Sequence, residues 1–201
     1  GVGLKGGADV LVHSVRTLIE LNPSWAIASN DFKNGFNACS RAKMLESIAE
    51  SDFAHMLPGL QGFYRQHSAL LANGSPIQRP SAASGGEGSG ADGLGDAAMD
   101  DTARVVTSSQ GCRQGDPFGP WIFSMALHPV LRKVQARYPD VYIFSYLDDT
   151  YILGEPERAY EALRLLQTTA LDDLALATNE SKVDFFCPAA AAAHRARLVP
   201  T

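Results

Sequence analysis

Two adjacent aspartates, Asp148 and Asp149, stand between two apolar runs of the kind that forms buried strands. Residues 141–146 predict one strand and residues 150–153 a second, so the two aspartates fall in the tight connection of a hairpin. Both arms are apolar on both faces, so we expect them to be central strands of a sheet. Two unscreened anions this close raise each other's pKa. They therefore point into water, or a cation lies beside them.

Strands and helices alternate along the rest of the chain. The predicted elements are a helix at 8–21, a strand at 25–29, a helix capped by Asn37 or Ser40, a mixed segment at 53–71 broken at Pro58-Gly59, a strand at 104–107, a helix opened by Asp116-Pro117, the hairpin, a helix from Pro156 and a strand at 183–186. This order fits an α+β fold of the ferredoxin-like type, an antiparallel βαββαβ sheet with helices on one face.

Composition limits the class of protein. The 201 residues carry a net charge of −5, whereas proteins that bind nucleic acid unaided are usually basic. Three cysteines lie far apart, which favours reduced thiols in an intracellular protein without a zinc site. The sequence shows neither a signal peptide nor an apolar run that would span a membrane, and it does not distinguish nucleus from cytoplasm.

One segment differs from the rest. Residues 81–101 are rich in Gly, Ser, Ala and Asp, and such a run cannot bury enough surface to offset its chain entropy. We expect a disordered insertion inside one domain that covers residues 1–188. Residues 189–201 are expected to form a tail.

Two further motifs contain residues suited to catalysis. Asp31 follows the apolar strand at 25–29, and the aromatic Phe36 lies five positions beyond it. Residues 111–120 are a glycine-rich stretch before a helix, where backbone can approach an anionic ligand closely. Taken alone, the first pattern favours a capping or solvated aspartate over a catalytic one, and the second favours a plain glycine-rich helix entry over a ligand-binding loop.

Together these blocks closely resemble the reverse transcriptase family, nearest to enzymes of non-LTR-type retroelements. The resemblance covers roughly residues 1–188, the end of the fingers and the palm of such an enzyme. It rests on four stretches: residues 31–37 as motif A, 111–120 as motif B, Tyr146-Leu147-Asp148-Asp149 as motif C and Asn179-Glu180-Ser181-Lys182 as a motif D.

The resemblance implies RNA-directed DNA polymerisation with two magnesium ions, or manganese in their place. The partners would be an RNA or DNA template with a primer, and deoxynucleoside triphosphates. The implied metal ligands are Asp31, Asp148 and Asp149; Lys182 would protonate pyrophosphate; the nucleotide would contact Phe32, Phe36, Gln114 and Gly115, with Phe36 as the steric gate against ribose.

Other interpretations stay open. The fingers and thumb segments of a longer polyprotein are not recognisable, which accounts for the acidic balance and predicts an incomplete enzyme. An inactive, decayed retroelement fragment would have the same sequence pattern. A nucleotide cyclase also uses paired carboxylates on such a sheet but has no counterpart of residues 111–117. A non-enzymatic interaction domain would not need three clustered anions.

Overall fold

The computed structural model describes residues 6–64, 68–72, 104–112 and 115–188. The predicted insertion at 81–101, the tail at 189–201 and Gln114 lie outside these residues. The chain divides into two compact units, one containing residues 1–66 and 110–201 and the other residues 67–109. None of the helices in the described residues is long and apolar enough to cross a membrane.

The described elements follow the predicted alternation. The helices are α1 (Gly7–Leu21), α2 (Gly35–Ala38), α3 (Arg41–Ala49), α4 (Leu57–Tyr64), α5 (Gly119–Arg137) and α6 (Pro156–Leu174). The strands are β1 (Ala26–Asn30), β2 (Ser68–Ala72), β3 (Arg104–Ser108), β4 (Tyr142–Tyr146), β5 (Asp149–Gly154) and β6 (Asp184–Phe186). Short 3₁₀ turns cover Ala54–Met56 and Glu180–Lys182.

The larger unit is built on a four-stranded antiparallel sheet in the order β4-β5-β1-β6. Strand β1 lies between two strands that follow it much later in the chain, and the β4–β5 hairpin forms one side. This order, with a helical crossover before the hairpin and α6 after it, is the ferredoxin-like arrangement. The predicted fold class is therefore confirmed.

Alternation along the strands gives the sheet two different faces. One face carries Ala26, Ala28, Ile152 and Phe185, all buried in the main core. Helix α6 contacts β1 and β5, and α5 packs against both α6 and α3, so these helices supply the apolar cover. A β-strand with one face buried has its register fixed by that face, and this register sets which residues meet at the strand ends.

Two helix boundaries differ from the prediction. Helix α5 begins at Gly119 and not directly after Asp116, because the Gly119 amide donates to the Asp116 carbonyl at 3.0 Å and closes a turn before the helix, in which the Asp116 carboxylate also accepts from the Phe118 amide at 2.8 Å. Helix α4 runs through Pro58-Gly59 without a break. Pro58 is its second residue, where a missing N–H costs nothing.

The smaller unit contains one antiparallel ribbon. Strands β2 and β3 pair from Ser68 opposite Ser108 to Ala72 opposite Arg104. The strand predicted at 104–107 is confirmed, while the residues that form β2 were predicted only as part of a mixed, partly helical segment.

Candidate active site

The β4–β5 hairpin turns through two residues only. Tyr146 pairs with Asp149, so Leu147 and Asp148 form the connection and Asp149 is the first residue of β5. Leu147 has a φ of 59°, a left-handed conformation that costs a non-glycine residue about 1–2 kcal/mol. Strain of this kind gathers at functional sites, and here it fixes Asp148 at the tip of the hairpin.

The strand register brings Asp31 to the same edge. Asn30 of β1 is opposite Thr150 of β5, so the next residue along β1 comes level with Asp149. Partial burial, followed by the negative charges of Asp148 and Asp31, raises the pKa of Asp149, and Lys182 lowers it in part. The three predicted carboxylates therefore act on one another electrostatically although Asp31 is distant in sequence.

Asp31 is held by the segment that follows α6. Its Oδ2 lies 3.2 Å from the Lys182 ammonium and accepts a hydrogen bond of 3.2 Å from the Asn179 side-chain amide. Its backbone carbonyl accepts from the Asn179 amide at 2.8 Å. Asp31 is only 17% exposed, whereas Lys182 is 64% exposed. The predicted catalytic lysine thus contacts the predicted metal ligand.

The donor set has the chemistry that magnesium or manganese requires. Carboxylate oxygens are the ligands that such hard cations prefer, and a cation would relieve the repulsion that raises the pKa of Asp149. In the arrangement seen here, however, the described residues include no group of three His, Cys, Asp or Glu side chains close enough to hold a metal ion. The metal roles of Asp31, Asp148 and Asp149 stay predictions.

A cavity of about 440 Å³ adjoins these carboxylates. Phe36, Gly115 and Asp148 all line it. The Phe36 ring stacks on Phe123 of α5 with ring centroids 4.7 Å apart, which fixes where the ring points. The remaining lining residues are Asn34, Gly35, Asn37, Cys112, Asp116, Gly119 and Pro120.

Two glycines permit this close packing. A Cβ on Gly111, which has a φ of 66°, would lie 2.3 Å from the Phe36 carbonyl oxygen, so only glycine fits between the two loops. A Cβ on Gly35 would lie 3.4 Å from the Asp148 Cβ and 3.4 Å from the Phe123 ring. Motifs A, B and C thus meet at glycine positions.

Phe32 lies elsewhere. Its side chain is 2% exposed, belongs to the core and does not line the cavity. The nucleotide contact implied for Phe32 stays a prediction, and the buried side chain does not support it.

Several contributing residues were not singled out from the sequence. Asn179 holds Asp31, Phe123 supports Phe36, and the Tyr64 hydroxyl donates to the Asp116 carboxylate. Arg41, 6% exposed, donates from Nε to the Gly111 carbonyl at 2.8 Å. The one available signal was Asn179, which opens the motif D stretch; the others are ordinary helix residues whose role depends on tertiary packing.

Comparisons with known proteins agree with this geometry. The family described as "Reverse transcriptase (RNA-dependent DNA polymerase)" matches residues 7–197. The "Retrotransposable element SLACS 132 kDa protein" of Trypanosoma brucei gambiense is 25% identical over 186 residues, which are 90% of this chain and 13% of that protein. The chain therefore spans only a small part of that relative.

Solved telomerase structures share the fold. The apo telomerase of Candida tropicalis truncated from its C-terminal domain superposes with a TM-score of 0.58 at 12% identity, covering 92% of this chain and 35% of the other. The C. tropicalis telomerase with a TWJ fragment of telomeric RNA gives 0.57 at 11% identity, covering 91% and 29%. The fold is that of a polymerase palm, and the chain belongs to the reverse transcriptase (RNA-dependent DNA polymerase) family.

Proposed function

We propose that this chain is the palm of an RNA-directed DNA polymerase that transfers a nucleotide to a primer 3′-hydroxyl with divalent metal ions. The observation that supports the proposal is that Asp148 and Asp31 act electrostatically on Asp149 at one sheet edge, beside a cavity lined by motifs A and B and by Asp148. Family membership removes the nucleotide cyclase alternative.

Each of the site residues that the structure describes has a separate proposed role in the reaction. Asp31, Asp148 and Asp149 would hold magnesium or manganese, which supplies activation of the hydroxyl and stabilisation of the leaving pyrophosphate. Phe36, stacked on Phe123 in the cavity wall, would exclude a ribose 2′-hydroxyl. Gly115, with a φ of 83°, lets the backbone approach the nucleotide, and Lys182 supplies a proton to pyrophosphate.

The proposed partners are a template with a primer and deoxynucleoside triphosphates. The SLACS relative is far longer than this chain, which supports the proposal that fingers and thumb segments of a longer polyprotein complete the enzyme. A net charge of −5 gives the isolated chain an unfavourable electrostatic field for a polyanion.

The test is photocrosslinking of a radiolabelled deoxynucleoside triphosphate to the isolated chain, with and without Mn²⁺. We expect Mn²⁺-dependent labelling that Asp148→Asn abolishes and that an exposed control, Asp173→Asn, leaves intact. Phe36→Val is expected to bring labelling by the matching ribonucleotide towards the deoxynucleotide level. Labelling that ignores both Mn²⁺ and Asp148→Asn would contradict the proposal.

A template–primer extension assay, taken together with the nucleotide labelling, separates the incomplete enzyme from the decayed fragment. We expect no extension above the Asp148→Asn blank from the isolated chain, because a primer end misplaced by about 1 Å costs on the order of a hundredfold in rate. Nucleotide labelling without extension supports an incomplete enzyme, whereas the absence of both favours a decayed fragment.

A further inference from the structure

The segment between α6 and β6 lies along one side of Asp31. Helix α6 ends at Leu174, the following residue Ala175 turns the chain back with a φ of 59°, and the Leu176 amide donates to the Ala170 carbonyl. The chain then runs antiparallel to motif A: the Lys33 amide donates to Ala177 at 2.8 Å, and Phe32 bridges to Thr178. This short ladder places Asn179 directly beside Asp31.

Asn179 contacts Asp31 twice. Its backbone amide donates to the Asp31 carbonyl at 2.8 Å, and its side-chain Nδ2 donates to Oδ2 of the carboxylate at 3.2 Å. The hydroxyl of Ser181 donates to the Asn179 Oδ1 at 2.9 Å, which leaves the Nδ2 end directed at Asp31. Main chain and side chain of one residue therefore fix both the position and the rotation of the carboxylate.

Lys182 uses the same oxygen in a different way. Its ammonium lies 3.2 Å from Oδ2 of Asp31, but its side chain is 64% exposed and gains no fixed geometry from burial. Asn179 is neutral, so it orients the Asp31 carboxylate and leaves its negative charge available to a divalent cation. Lys182 is positively charged, so it neutralises that same negative charge. One neighbour prepares Asp31 for a metal, and the other competes with it.

We propose that Asn179 is a positioning residue for Asp31 in metal binding, and that Lys182 occupies Asp31 as a competing cation while no metal is bound. The inference rests on the proposed function and goes beyond it, because it assigns opposite effects to two residues that touch one oxygen atom. Hydrogen-bond partners of metal-ligating side chains typically contribute 10- to 100-fold in metal affinity.

The test is Mn²⁺ affinity of the isolated chain, read from the electron paramagnetic resonance signal of free Mn²⁺. We expect Asn179→Ala to weaken binding by about tenfold or more. Lys182→Met is expected to tighten it by about two- to fivefold, the range that an exposed ion pair supplies. Opposite signs cannot come from general destabilisation of the fold.

Matched controls come from the same chain. Asn22→Ala also removes an amide donor, to the Leu18 carbonyl, and Lys133→Met removes an ion pair with Asp173; both lie in other contacts, and both should leave affinity unchanged. Ser181→Ala, an exposed change that releases the Asn179 amide, provides a second variant if Asn179→Ala does not fold. It should weaken binding in the same direction by less.

The outcomes distinguish the inference from the proposed function. Asn179→Ala and Ser181→Ala matching wild type would overturn the positioning role, and weaker binding in Lys182→Met would overturn the competition, with the metal site intact in both cases. Mn²⁺ binding that survives Asp148→Asn, or that wild type lacks, would overturn the proposed metal site and this inference together.

Discussion

The two ends of strand β4 differ in how far their charged and polar groups are paired. Before β4, Asp140 is bound by Arg158 through two hydrogen bonds of 2.9 and 3.1 Å. The Arg158 guanidinium also lies over the Tyr138 ring, 4.6 Å from its centroid. Gln135 donates to the carbonyls of both Tyr138 and Val141 at 3.0 Å. At this end the charge has a partner and the loop carbonyls have donors.

The carboxylate end is compensated only in part, because the exposed Lys182 pairs with Asp31 while Asp148 and Asp31 still raise the pKa of Asp149. Asp149 faces Asp148 and Asp31, Leu147 is in a left-handed conformation, and the Asn30 Nδ2 is buried without a partner in the part of the chain that the structure describes. The Asn30 Oδ1 does accept from Gln167 and Thr178. We therefore expect the carboxylate end of β4 to be locally less stable than the Asp140 end, as is common where charge repulsion and backbone strain serve binding.

Strand β5, which pairs with β4, sets the scale of stability. Ile152 is fully buried against the helices, so Ile152→Ala should lower the free energy of unfolding by about 2–5 kcal/mol. Urea denaturation followed by circular dichroism measures the change. Leu171→Ala, at an exposed position on α6, is the control, and a loss as large there would show that burial does not decide the effect.

The paired end should be sensitive to loss of a single donor. Gln135→Ala removes the side-chain donor of two loop carbonyls, of which the Tyr138 carbonyl keeps only the 3.4 Å bond from the Val141 amide, and we expect a loss of about 1–3 kcal/mol. Arg132→Ala, on the exposed side of the same helix, should stay within about 0.5 kcal/mol. If the two variants unfold at the same urea concentration, the loop carbonyls do not depend on Gln135, and the contrast between the ends weakens.

Much of this arrangement could be predicted because it is local. The hairpin, the position of its aspartates and the succession of strands and helices along the chain follow from apolar runs and turn residues within a few positions of each other. The boundary of α5 was missed because Asp116-Pro117 suits a helix cap and a turn before a helix equally well. The structure has the turn, which the Gly119 amide closes by donating to the Asp116 carbonyl.

The support of the site depends on distant residues instead. The Asn179–Asp31, Phe36–Phe123 and Tyr64–Asp116 contacts each join segments that only the folded sheet and helices bring together. Periodicity in a single sequence contains no information on such pairs. Phe32 is the converse case, because the resemblance implied that it contacts the nucleotide, whereas its side chain is buried in the core.

Relieving the strain at the carboxylate end should change stability little, and in the favourable direction. Leu147→Gly removes a left-handed cost of about 1–2 kcal/mol but adds about 0.5–1 kcal/mol of backbone entropy. We expect a net gain between zero and about 1.5 kcal/mol in urea denaturation. Leu147→Val, β-branched and intolerant of this conformation, should be destabilised; equal stability of the two variants would argue against strain at this turn.

The smallest and most specific effect concerns pH, and it has opposite signs at the two ends. Burial and neighbouring anions raise the pKa of Asp149 above its ordinary 3.8, so the folded state binds this proton more tightly than the unfolded state. Its contribution to stability is full below 3.8 and is lost as the pH rises through the raised pKa. Hydrogen bonding to Arg158 lowers the pKa of Asp140, whose contribution is present above 3.8 and is lost as the pH falls through the lowered pKa.

Two substitutions with chelator present test this sign difference. At about pH 7, Asp149→Asn should raise the melting temperature slightly and Asp140→Asn should lower it slightly, since both groups are largely solvent-screened. The difference for Asp149→Asn should fade as the pH falls below the ordinary 3.8, whereas the difference for Asp140→Asn should fade only as the pH falls through the lowered pKa of Asp140. A melting temperature that falls in Asp149→Asn at neutral pH would mean that Lys182 offsets the repulsion from Asp148 and Asp31 even without a metal, and the two ends would then differ in geometry but not in charge compensation.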